Sequence, residues 1–170
     1  MQIVETAENH KFSRIHVISL TALCPFFVHI EHRKSDKESL RQLMDILLVD
    51  DNEEYLHLVE EALGESGYKV HTAQDGLEGC EVLANSDIDL IISDIKMPGF
   101  DGFKLHAFAR EMEKYKNTIF IFVSGLKDAY VNSMALDPRR DYLLDKTTSL
   151  REIVRLVDSL IFGQLEGEWI

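Results

Sequence analysis

The chain is predicted to be an α/β domain built on a parallel sheet, and three features of its sequence carry that prediction. Short, strongly apolar runs at residues 46–49, 88–93 and 118–123 read as strands covered on both faces. Between them, apolar residues recur at helical spacing. Strand and helix alternate five times, which is the signature of βα units wound into one sheet. With 170 residues, 45% of them hydrophobic and 28% charged, the chain can bury a core, and neither disorder nor a fibrous repeat is expected.

The elements follow in order. The first strand, Ile46-Leu47-Leu48-Val49, runs into Asp50-Asp51. Leu56, Val59 and Leu63 mark the first helix of the domain, with Gly64 and Gly67 closing it. Residues 68–72 suit a second strand, and Leu77, Val82 and Leu83 a second helix. The third strand ends at Asp94, and residues 103–115 are helical in pattern. The fourth strand stops at Ser124-Gly125 and is followed by a helix over residues 127–136, broken by Asp137-Pro138. Tyr142-Leu143-Leu144 is the fifth strand, and Leu150, Ile153, Val154, Val157 and Leu160 form the last amphipathic helix.

Charge divides the chain. Residues 1–43 carry six bases, five acids and four of the seven histidines, whereas residues 44–170 hold 12 bases and 25 acids. The expected organisation is an N-terminal extension over 1–43, a compact domain over 44–162 and a tail over 163–170. The extension is expected to be poorly ordered, or to precede a natural start at Met44; a short helix within 35–45, capped by Ser35 with Glu38 following, fits its end. Its apolar run, residues 15–30, is too short for a membrane span and holds Pro25, and no small-residue cleavage pattern closes it. The net charge of −12 argues against direct nucleic-acid binding. Two cysteines, Cys24 and Cys80, without metal-ligand spacing point away from disulfide or zinc frameworks and toward the cytoplasm.

In open parallel sheets, ligands collect at the carboxyl ends of the strands. Asp50, Asp51, Asp94 and Ser124 all fall there, and a further strand leads to Lys146. Converging carboxylates repel one another unless a cation joins them, and a hard, oxygen-liking ion such as Mg²⁺ suits the set. Asp94 could then act as a nucleophile toward phosphorus, with the cation, Lys146 and the Ser124 hydroxyl meeting the charge. Taken singly, each residue also suits a turn, a helix cap or a solvated surface; their joint occurrence at successive strand ends is the signal. His57 reads as a surface histidine, and His71 and His106 as isolated ones.

LLVDDN, DLIISDIKMPGFDG, the FVSG strand end and the later lysine resemble a bacterial two-component response-regulator receiver domain, over residues 44 to about 162. The resemblance implies a doubly wound, flavodoxin-like five-stranded sheet of order 2-1-3-4-5. It implies that Asp94 takes a phosphoryl group from a sensor histidine kinase or histidine phosphotransfer protein. Asp50, Asp51, Asp94 and the backbone carbonyl of Lys96 would hold Mg²⁺, while Ser124 and Lys146 would follow the phosphoryl group. Such a domain is not an enzyme beyond its own phosphorylation and dephosphorylation. Little chain follows residue 162, so output is expected through protein contact, with a downstream protein or a second copy as candidate partner and no membrane involved.

Two positions depart from the family pattern. Thr147 stands where a proline usually follows the lysine, and a trans bond with a reshaped loop is expected there. The aromatic that commonly reports the switch is Leu143 here, with Tyr142 one residue earlier and facing the other side. These departures leave a phosphorylation-independent interaction module as the alternative. A haloacid-dehalogenase-like hydrolase fits poorly, because Lys96 stands where that class places a second aspartate.

Overall fold

The computed structural model describes residues 34–125 and 136–167. The expectations for residues 1–33, and all but the last residue of the helix expected over 127–136, lie outside the described residues. The elements are α1 Lys34–Arg41, β1 Asp45–Val49, α2 Glu53–Glu65, β2 Lys69–Ala73, α3 Gly76–Asn85, β3 Leu90–Asp94, α4 Gly102–Glu111, β4 Ile119–Ser124, β5 Asp141–Asp145 and α5 Leu150–Gly167. The five strands form one sheet of order β2-β1-β3-β4-β5, parallel at every pairing.

Side chains of a strand alternate between faces, and both faces of this sheet are covered. Ile46, Leu48, Ile92 and Ile121 meet Leu56, Val59 and Leu63 of α2 and Ile153, Val157 and Ile161 of α5 on one face. Leu47, Val49, Ile91, Phe120 and Phe122 meet Leu83 of α3 and Leu105 and Ala109 of α4 on the other. This double burial is why β1, β3 and β4 are apolar at consecutive positions. Each fully buried aliphatic or aromatic side chain contributes about 1.5–3 kcal/mol.

Local details correct several expectations. Gly64 lies inside α2, and only Gly67, with φ +97°, takes the left-handed conformation after the Ser66 cap. On α3 the buried stripe is Gly76, Gly79 and Leu83, whereas Leu77 is exposed. A Cβ on Gly76 would lie 2.4 Å from the Phe100 carbonyl oxygen, so the loop after β3 rests directly on the start of α3. The helix expected over 103–115 ends at Glu111, capped by Met112. Helix α1 begins at Lys34, which puts Ser35 within it rather than at its cap.

Helix α1 is tied down at its C-terminal end. The Arg41 guanidinium donates to both carboxylate oxygens of Asp158 on α5, at 3.0 and 2.7 Å, and the Tyr68 hydroxyl donates to the same carboxylate at 2.6 Å. Among the described residues no helix is long and apolar enough to cross a membrane.

Candidate phosphoacceptor site

The site lies where β1, β3, β4 and β5 end. β1 runs out at Val49, and Asp50 still follows the sheet, its N–H donating to the Ala73 carbonyl at 3.1 Å. Neither Asp50 nor Asp51 caps α2. Asn52 does, its side chain accepting from the Tyr55 N–H at 3.0 Å, while Asp50 Oδ1 accepts from the Asn52 N–H at 2.9 Å. The turn therefore turns Asp50 inward, 1% exposed, and leaves Asp51 at the surface.

Asp94 closes β3 opposite Val123 and is 6% exposed. The chain then turns sharply through Gly99, at φ +77°, into α4, whose N-cap Asp101 accepts from the Lys104 N–H at 2.9 Å. Gly102 opens that helix directly beneath the site. A Cβ there would lie 2.1 Å from the Asp94 carbonyl oxygen, so no larger residue fits without moving the loop. Ser124 ends β4, buried, and its carbonyl accepts the Lys146 N–H at 2.8 Å. This backbone bond sets Lys146 beside the Ser124 strand end.

The Lys146 ammonium joins the two buried acids. Its Nζ donates to Asp94 Oδ2 at 2.7 Å and to Asp50 Oδ1 at 3.0 Å. Asp50 Oδ2 is buried and accepts no hydrogen bond; the ammonium, 2.9 Å away, meets it as charge alone. Burial, reinforced by the Asp94 charge, pushes the Asp50 carboxyl above its ordinary value, despite the opposing pull of Lys146 and the Asn52 N–H. Burial would lower Lys146, but its bonds to Asp94 and Asp50 outweigh it and hold the ammonium above its ordinary value.

Carboxylate oxygens of Asp50, Asp51 and Asp94 lie within 4.8 Å of one another. Three acids against one lysine leave negative charge in excess, and Asp50 Oδ2 is buried with an ion pair to Lys146 but no hydrogen bond. Both features fit a hard divalent cation with oxygen ligands. A cleft of about 470 Å³ opens alongside, between Asp51, Lys96, Met97, Pro98 and Phe103.

The sequence profile of the response regulator receiver domain matches residues 46–158. The chain belongs to that family. It is 39% identical over 107 residues to the sensor histidine kinase RcsC of Salmonella typhimurium, a match covering 63% of this chain and 11% of that protein. It is 30% identical over 117 residues to the response regulator MprA of a Mycobacterium species, covering 68% of this chain and 50% of that one. The chain thus spans about a tenth of the kinase and half of the response regulator. Among solved structures, the Vibrio cholerae chemotaxis protein CheY4 aligns with a TM-score of 0.64 at 25% identity, covering 69% of this chain and 98% of that one. A receiver domain of an HD domain-containing protein from Pseudomonas fluorescens aligns with a TM-score of 0.65 at 27% identity, over 72% and 98%.

The two positions where this receiver domain departs from the family pattern differ in their surroundings. The Thr147 N–H and hydroxyl both donate to Asp145 Oδ1, at 2.8 and 2.6 Å, and no peptide bond among the described residues is cis. A proline would have no N–H for the first of those bonds. Leu143 is 51% exposed, while Tyr142 packs against the α2–α5 face of the core and donates its hydroxyl to the Arg139 carbonyl at 3.2 Å.

Two histidines read as isolated have partners. His71 Nε2 lies 2.7 Å from Asp45 Oδ1, and His106 Nε2 lies 3.0 Å from Asp141 Oδ1. His57 is exposed, and Cys80 lies within α3. One residue at the site escaped sequence reading. Tyr55, on the first turn of α2, places its ring centroid 5.2 Å from Lys146 Nζ. The only available signal was an aromatic four positions after Asp51, off the buried stripe of its helix.

Proposed function

We propose that this receiver domain is the phosphoacceptor of a two-component phosphorelay, with Asp94 taking the phosphoryl group from a phosphohistidine on a sensor histidine kinase or phosphotransfer protein. The observation that carries this reading is the convergence of Asp94, Asp50, Asp51 and Lys146 at the carboxyl ends of the strands, with the ammonium 2.7 Å from Asp94. Asp50, Asp51 and Asp94, with the Lys96 carbonyl, would hold Mg²⁺. When bound, the ion supplies positive charge opposite the transferring phosphoryl oxygens.

In the proposed step, an Asp94 carboxylate oxygen forms the new P–O bond as the P–N bond to the imidazole breaks. The electron pair of the broken bond returns to the ring nitrogen. Asp94 is 6% exposed, which limits water, and its chain neighbours Ile95 and Lys96 line the cleft through which a donor phosphoryl group would approach. Lys146, already on Asp94, is poised to pair with the phosphoryl oxygens, and the Ser124 hydroxyl to donate to them. In the resetting step, water attacks the phosphorus as the P–O bond to Asp94 breaks, which returns the carboxylate and releases inorganic phosphate, the same residues meeting the charge. The setting proposed is the cytoplasm, and output passes to a protein partner through a surface that differs between the two states.

Incubation of the purified chain with Mg²⁺ and a small acyl-phosphate donor, read by intact mass, tests this. A phosphoryl adduct that disappears without Mg²⁺ and in Asp94→Ala is the expected result. The exposed Leu143, in place of a reporting aromatic, favours a second reading, an interaction module that works without phosphorylation. Absence of both the adduct and a beryllofluoride complex would select that reading.

A further inference from the structure

The Lys146 side chain is a flexible four-carbon stem that must deliver its charge to one point, and lysine rotamers carry roughly 2 kcal/mol of conformational entropy. Its two carboxylate partners are the same groups that fit a divalent cation. Any cation drawing on Asp50 weakens the hold of that acid on the ammonium. A third contact, independent of the acids, is the Tyr55 ring at 5.2 Å. An aromatic face attracts a cation through its quadrupole, by about 0.5–2 kcal/mol depending on desolvation.

Stability alone does not account for a tyrosine at this place. Its hydroxyl is buried and accepts or donates no hydrogen bond, an arrangement that costs about 1–3 kcal/mol. A leucine would avoid that penalty but would offer the ammonium no ring face. The backbone of Tyr55 is held by the Asn52 cap and its side chain packs against the core, so the ring has a defined position from which to act.

We propose that Tyr55 is a positioning residue of the phosphoacceptor site: its ring face carries the Lys146 ammonium and keeps it at Asp94 when a cation engages Asp50. The role rests on the phosphoacceptor reading above, but the contact itself can be read without phosphorylation or metal.

The test uses the full chain and two substitutions, Tyr55→Leu, which keeps apolar volume, and Tyr55→Phe, which keeps the ring. In metal-free protein with ¹³C-labelled lysine, the Lys146 ε-methylene protons, assigned by their loss in Lys146→Met, are expected upfield from the ring current. They should stay there in Tyr55→Phe and move to ordinary positions in Tyr55→Leu. With Mg²⁺ and acetyl phosphate, the rate of adduct formation should fall by about 2- to 30-fold in Tyr55→Leu, from the size of such contacts. Tyr55→Phe should restore it to within about twofold. In a Lys146→Met background, Tyr55→Leu should produce no further loss.

The proposal is overturned if the lysine shift is unmoved in Tyr55→Leu, if Tyr55→Phe is as slow as Tyr55→Leu, or if Tyr55→Leu slows the Lys146→Met protein equally. Should the wild type show the shift yet form no adduct, the phosphoacceptor reading falls and the positioning role with it, while the ring–ammonium contact stands.

Discussion

Two buried carboxylates at opposite ends of the sheet have opposite surroundings. Asp141 opens β5 and is 8% exposed; its Oδ1 meets His106 at 3.0 Å and Arg110 at 2.6 Å, and its Oδ2 accepts the Asp137 N–H at 2.8 Å. Burial alone would raise its pKa, but those donors outweigh burial and hold it below the ordinary carboxylate value. Asp50 follows β1 and is more deeply buried, yet one of its oxygens accepts no hydrogen bond and its pKa is pushed up. The saturated acid ties α4 to β5. The unsaturated one, ion-paired to Lys146, keeps an acceptor lone pair free of hydrogen bonds, at a cost to stability, and that suits binding.

The sharpest way to break this contrast is at the saturated end. Asp141→Ala strands Arg110, His106 and the Asp137 N–H, and is expected to cost about 3–5 kcal/mol in urea unfolding. Asp158 is the intermediate case, part exposed and shared by Arg41 and Tyr68. Arg41→Ala leaves the tyrosine bond in place and should cost about 1–2 kcal/mol by the same measurement. At the other extreme, Asp50→Asn should leave stability unchanged or raise it by up to about 1 kcal/mol, because Lys146 keeps Asp94. The same substitution should weaken Mg²⁺ binding measured by titration calorimetry.

The pH dependence separates the two acids by sign. The lowered pKa of Asp141 contributes stability that is complete above the unfolded value near 3.8 and is lost as pH falls through the folded value below it. The raised pKa of Asp50 acts in the opposite direction: stability declines as pH rises from 3.8 through the folded value. Stability measured against pH should therefore lose its acid limb below 3.8 in Asp141→Asn. In Asp50→Asn the shallow decline above 3.8 should disappear. Identical profiles for the two variants would mean that the contrast has no energetic content.

Much of the site could be read from the chain because each residue sits at or just beyond the end of a recognisable run. Ile46–Val49 points to Asp50, the run before Asp94 points to it, and the phenylalanine-rich strand points to Ser124. The Asp141 network was not legible in this way. His106 and Arg110 stand 35 and 31 residues from Asp141, and nothing local marks a histidine on α4 as the partner of the strand that comes last in the chain. His71 was missed for the same reason, since Asp45 becomes its neighbour only when β1 pairs with β2. Helix boundaries strayed at their ends: α4 stops at Glu111 rather than at residue 115, and Gly64 lies inside α2 rather than closing it.

The sequence by itself determined the alternation of strands and helices, because burial on two faces demands consecutive apolar residues and burial on one face demands helical spacing. It also determined which polar groups would stand at the strand ends. Only the tertiary structure decided how those groups share charge. Lys146 reaches Asp50 across 96 residues of chain and Asp94 across 52, and it meets the ring of Tyr55 on a third element. Electrostatic and aromatic contacts depend on distances of a few ångströms, and those distances follow from the packing order of the sheet rather than from any local pattern.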